Sequence, residues 1–185
     1  LIGQINGMWA NSLGLGGILP IQVEKSYLEK KLVLTGTQGD VMQQSMKCAE
    51  TMAFNLIMKE EPEFNKDEMK HGIHVHCPDT SMPKDGPSAG GAICIAIYSF
   101  LCNKYVNQDI AMTGEIDLIG RILPIGGLEA KLLGSKKAGI KTALIPKDNE
   151  EQLKRLRNDK KSSEDDKFKV IMISHINDAL EYFFI

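Results

Sequence analysis

PKDGPSAG, residues 83–90, runs directly into the apolar segment GAICIAIYSFLC, residues 91–102. The first stretch is stiffened by two prolines, and the second carries no charged side chain, so a buried helix begins where the loop ends. Ser88 stands at that entrance, where the first N–H groups of a helix lack intrahelical partners and carry the positive end of its dipole. An oxyanion on a carbonyl attacked by Ser88 Oγ would meet the N–H of Ser88 and those of the turn before it. Serine is also among the commonest helix N-caps, and by itself Ser88 suits either role. The surroundings favour a nucleophile: a cap needs one hydroxyl, whereas Ala89, Gly90 and Gly91 also let another chain approach closely.

Working outward, residues 1–10 and 18–23 read as strands joined by the glycine-rich turn NSLGLGG (11–17), which lacks the spacing of a phosphate-binding loop. KKLVLTG (30–36) is a further strand. Thr37-Gln38-Gly39-Asp40 opens a helix with apolar positions at Met42, Met46, Ala49, Ala53, Leu56 and Ile57. Residues 59–72 form a polar connection. IHVHC (73–77) is a strand whose alternation puts His74 and His76 on one face. No carboxylate or thiol lies near them in sequence on that face, so hydrogen bonding beside the serine loop suits them better than a metal. Beyond the central helix, strands at 110–118 and 121–125 flank an Ile119-Gly120 turn. A helix over 127–138 ends at Gly139, and strand 142–146, a charged helix, strand 168–174 and an amphipathic helix close the chain. This alternation predicts a layered α/β or α+β domain.

The chain has 185 residues, enough for one domain with a substantial core, and its 22 basic and 24 acidic side chains are dispersed. Nothing in that balance asks for nucleic acid or an anionic membrane. Cys48, Cys77, Cys94 and Cys102 show no CxxC pair and read as free, mostly buried thiols of a reducing compartment. The chain opens abruptly on LIGQINGMWA, as a piece of a longer protein would.

A serine hydroxyl attacks poorly until a base takes its proton. None of the four histidines offers a clear fit. The other solution is a desolvated lysine: a free one, with pKa about 10.4, is neutral about one time in a thousand near pH 7.4, and matching that pH costs roughly 4 kcal/mol. Lys131 lies a turn from Leu128, beside Leu132 and one turn before Ser135, whereas Lys137 projects away. A lysine on the rim of an apolar face equally suits snorkelling, and periodicity leaves both readings open.

PKDGPSAG, AMTGEI (111–116) and LPIGGLEAK (123–131) closely resemble the proteolytic domain of the Lon family of ATP-dependent Ser-Lys proteases. So do INGMWA (5–10), LTGTQGDVMQQS (34–45), IHVHCP (73–78) and the run from Met112 to Pro146. The likeness covers nearly the whole chain, and the PKDGPSAG form resembles the soluble A-type branch. It implies an α+β fold of small mixed sheets flanked by helices over residues 1–185, and a dyad of Ser88 as nucleophile and Lys131 as general base. Thr113 would support the lysine amine, and Asp85, Gly86 and Pro87 would form the active-site and oxyanion loop. His74, His76 and Asp40 would lie near the site in structural or tuning roles, without a metal.

The resemblance further implies unfolded or damaged polypeptides as substrates, a homohexameric ring in the full-length protein, and an intracellular setting in cytoplasm or mitochondrial matrix. ATP and magnesium belong to an AAA+ module, of which these residues carry neither the Walker A lysine nor the Walker B acid; this domain itself would need no cofactor. Departures fall in loops: a longer NSLGLGG, IQV where an acidic residue is more usual, charges at 66–72, and NDKKSSEDDK (158–167). The competing reading is an inactive module of the same fold, used for binding or ring assembly.

Overall fold

The computed structural model describes residues 1–36, 39–78 and 86–184. Its strands are β1 (Gln4–Ala10), β2 (Gly16–Ser26), β3 (Val33–Thr35), β4 (Gly72–His76), β5 (Ile110–Met112), β6 (Glu115–Ile116), β7 (Ile122–Leu123), β8 (Thr142–Pro146) and β9 (Lys169–Ile173). The helices are α1 (Asp40–Glu60), α2 (Gly90–Cys102), α3 (Leu128–Lys137), α4 (Glu150–Asn158) and α5 (Ile176–Phe183). The expected alternation holds, but the strands form one seven-stranded sheet of order β3-β4-β2-β1-β5-β8-β9 beside a β6-β7 ribbon. β1/β2 and β2/β4 pair antiparallel, and the other neighbours of the large sheet pair parallel. This is a mixed α/β architecture.

The period of two along a strand puts a core on each sheet face. Ile110, Met112 and Leu144 join α1, α2 and α5 on one side. Ala111, Ala143 and Ile145 join α3 and α4 on the other. α2 is buried from Gly90 to Ser99, as a helix apolar all round must be. At its end Asn103 adopts a left-handed conformation, while Gly139, at φ +89°, follows α3 as expected of a C-terminal glycine.

Boundaries differ from the sequence reading where chain segments change partners. The glycine turn is shorter than NSLGLGG, because Asn11 Oδ1 accepts from the N–H groups of Leu13 and Leu15 at 3.0 Å each and closes the hairpin early. Gly16 and Gly17 are therefore strand residues. The strand expected over 110–118 breaks at Thr113 and Gly114: Thr113 N–H still bonds Leu144 O on β8, but Gly114 N–H turns to Ser88 O at 2.7 Å. That switch ties the sheet to the serine turn.

Candidate active site

Several elements converge on one cavity of about 530 Å³, whose lining includes Ser88, Lys131, Trp9, Met42, Glu115 and Ile125. Ser88 sits in the turn before α2 and does not cap it; the helix starts from Ala89 without any side-chain cap. The capping alternative is therefore not realised. The turn is tied on both sides: Gly90 N–H bonds Pro87 O at 3.1 Å, and Ser45 Oγ donates to Pro87 O at 3.2 Å. Gly91 N–H bonds Gly114 O at 3.0 Å.

The small residues after Ser88 accommodate this protein's own chain. A Cβ on Gly90 would lie 2.7 Å from Ser45 Oγ, and one on Gly91 would lie 2.5 Å from the Met112 side chain. The close approach read from Ala89-Gly90-Gly91 is thus made by α1 and by the end of β5. The first two N–H groups of α2 are occupied by Pro87 O and Gly114 O. Pro87 has no N–H, and among the described residues the N–H groups of Ser88 and Ala89 have no acceptor. Two donors thus remain at the helix entrance.

Lys131 comes from the opposite sheet face. It is 4% exposed, and its Nζ lies 3.2 Å from Ser88 Oγ and 3.2 Å from Thr113 Oγ1. Burial brings the amine down to about 8, since a charged group removed from water favours its neutral form. Thr113, fully buried, donates its hydroxyl hydrogen to Ser88 O at 3.4 Å. A hydroxyl with its one hydrogen committed offers only lone pairs to the amine. Thr113 therefore accepts an N–H from Lys131 and fixes the amine's direction.

Helix α3 reaches this depth because two backbones touch. A Cβ on Gly16 would lie 2.2 Å from Ala130 O, and one on Gly134 would lie 2.2 Å from Gly16 O. Gly127, at φ +68°, starts the helix in a conformation that favours glycine. The glycines of NSLGLGG and LLGSKK are thus the contact that seats Lys131, a role that sequence spacing alone does not disclose.

Of the other candidates, Gly86 and Pro87 line the cavity with Ser88. Asp85 lies outside the described residues, as do Thr37 and Gln38 of the expected helix opening. His74 and His76 share a face of β4 and both hydrogen-bond the Thr35 hydroxyl at 2.7 Å; they are absent from the cavity wall. Among the described residues no three metal-ligating side chains gather. Asp40 is the exposed first residue of α1, two positions before Met42 of the wall. The sequence reading gave no separate role to Trp9, Glu115 or Ile125, which lie in quoted motifs yet reach the cavity only through sheet register and the β6-β7 ribbon.

The pattern of the Lon protease (S16) C-terminal proteolytic domain matches residues 1–185. A Lon protease homolog of Acanthamoeba polyphaga mimivirus is 43% identical over 185 residues, covering 95% of this chain and 18% of that protein. The Lon protease of Campylobacter jejuni is 42% identical, covering 98% of this chain and 24% of that protein. Lon protease 1 of Bacillus subtilis is 38% identical, covering 98% of this chain and 23% of that protein. The chain thus spans between 18% and 24% of the length of these relatives. Matched from end to end by the family pattern and by relatives along nearly its whole length, the chain belongs to the Lon protease (S16) C-terminal proteolytic domain family, whose enzyme class is that of serine endopeptidases.

Proposed function

We propose that the chain hydrolyses peptide bonds through a dyad in which Ser88 is the nucleophile and Lys131 the general base. The observation that carries this reading is the buried Lys131 amine, 3.2 Å from the Ser88 hydroxyl, with its basicity lowered to about 8. At pH 7.4 such a lysine is neutral about one time in five, against about one in a thousand for a free one. A neutral amine has two N–H groups and one lone pair. With one N–H directed to Thr113, the lone pair is free to face the Ser88 O–H.

Ser88 Oγ attacks the substrate carbonyl as Lys131 takes its proton. The oxyanion meets the N–H groups of Ser88 and Ala89, and protonated Lys131 then donates to the leaving amine. A water activated by the same lysine hydrolyses the acyl-enzyme. Met8, Trp9, Ile18, Met42 and Ile125 give the cleft an apolar wall, suited to side chains that folded proteins bury. Substrates are therefore unfolded or damaged polypeptides, entering extended. In the longer protein, an AAA+ module using ATP and magnesium would unfold and deliver them, within a homohexameric ring.

Cleavage of an unstructured fluorogenic peptide, followed against pH, tests this reading. The rate should rise with a midpoint near 8, and Ser88→Ala and Lys131→Ala should each lose about a thousandfold or more in kcat. Retained activity in either variant would refute the dyad.

A further inference from the structure

Asn149 is 6% exposed and directly precedes α4, where an asparagine ordinarily caps the helix with its side chain. Here it makes no such cap. Its Oδ1 accepts from Ile125 N–H at 3.0 Å, and its Nδ2 donates to Ile125 O at 2.9 Å. The two bonds fix the orientation of the amide, because Ile125 N–H needs an acceptor and its carbonyl a donor. Nδ2 also donates to Gln152 Oε1 at 3.2 Å, so the side chain is held from behind. Asn149 thereby engages Ile125, in the strap 124–127, as a neighbouring strand would.

That strap is a wall of the cleft. Pro124, Ile125, Gly126 and Gly127 all line the cavity that contains Ser88 and Lys131, whereas Asn149 does not reach it. Pro124 offers no N–H, Gly126 and Gly127 add no side chains, and β7 ends at Leu123, so besides Asn149 the strap is held by Ile125 packing against the core beneath α3 and α4 and by Gly127 O at the start of α3. Among the described residues, Asn149 provides the only side chain that bonds the backbone of residues 124–127. Lys131 donates its backbone N–H to Gly127 O at 3.0 Å, at the far end of the strap, but the depth of its helix is set by the Gly16 and Gly134 contacts of α3.

We propose that Asn149 is a positioning residue that holds the 124–127 strap as the substrate-facing wall of the cleft, so that it governs peptide binding while leaving the chemistry of the dyad in place. This inference rests on the Ser88-Lys131 reading. An amide that supplies both a donor and an acceptor to one residue has no equivalent in alanine, and aspartate keeps the acceptor but sets a second oxygen against the Ile125 carbonyl.

The test uses Asn149→Ala and Asn149→Asp in the naturally expressed protein, with Gln152→Ala as a control that leaves both Ile125 bonds intact. In both Asn149 variants KM for an unstructured peptide should rise about tenfold, while kcat and the pH midpoint stay within about twofold or a few tenths of a pH unit. A small fluorophosphonate, which reacts at Ser88 without filling the cleft, should label both at close to the wild-type rate, and Gln152→Ala should leave KM unchanged. Should the alanine variant fail to fold, the aspartate variant decides. An unmoved KM in a folded Asn149 variant, or a parallel fall in kcat and labelling, overturns the inference while a labelled wild-type Ser88 leaves the dyad standing. A wild-type Ser88 that neither labels nor cleaves overturns the dyad and this inference with it.

Discussion

Lys131 is a destabilising residue where it stands. Its amine falls from 10.5 to about 8 on folding. Between those pH values the unfolded chain keeps a proton that the folded chain has lost, so stability rises with pH across that window and stays at its lowered level below it. The penalty at neutral pH is about 3 kcal/mol. Lys131→Met, similar in length and uncharged, should therefore be inactive yet more stable by roughly 1–3 kcal/mol at pH 7. The gain should shrink toward pH 10, as denaturant midpoints at the two pH values would read. The types of Ser88, Thr113 and Lys131 were legible in their motifs, but their meeting was not, because 25 and 43 positions of chain separate Ser88 from its two partners. Only the resemblance anticipated it. His74 and His76 were expected to hydrogen-bond beside the serine loop; the bonds they make go to the shared Thr35 hydroxyl of β3, one ring nitrogen each.

Each catalytic candidate is delivered by the end of an element: Ser88 by the turn into α2, Thr113 by the residue after β5, and Lys131 by the second turn of α3. α3 is the most exacting of these, because its backbone meets that of β2 at Gly16 and Gly134. Replacing a helical glycine by alanine ordinarily favours the helix by up to about 1 kcal/mol. At Gly134 the added Cβ would lie 2.2 Å from Gly16 O, against backbone that cannot rotate aside. Gly134→Ala should therefore destabilise the fold by about 1–3 kcal/mol and lower kcat about a hundredfold by displacing the lysine. A thermal melt and a peptide assay on the same preparation would show both effects. Unchanged melting and activity would mean that α3 has slack at this contact. The helix itself was legible from LEAKLLGSKK; the need for glycine within it was not, since the residue it must avoid is Gly16, far away in sequence.

At the scale of the whole molecule, the sheet holds the site together because its central strands belong to two cores. β1, β5 and β8 contribute to the cluster beneath α1, α2 and α5 through Ile5, Ile110, Met112 and Leu144. They contribute to the cluster beneath α3 and α4 through Met8, Ala111, Ala143 and Ile145. Opening either face exposes the strands of both, so these strands should open only with global unfolding. In native-state amide exchange the slowest protons should be those of Ile5–Met8, Ile110–Met112 and Ala143–Ile145, with the 66–71 connection exchanging far faster. Fast exchange in β5 would show that the two cores open independently. The sequence by itself determined the order of elements, the burial of α2, the shared face of the two histidines and, through its motifs, the family, because each is written in local periodicity or in contiguous residues. The tertiary structure alone decided the strand order, the break after β5 that turns the chain toward Ser88, the glycine contact beneath α3 and the use of Asn149. These depend on which distant backbones meet, and a hydrogen bond or a steric contact between residues far apart in sequence leaves no period along the chain.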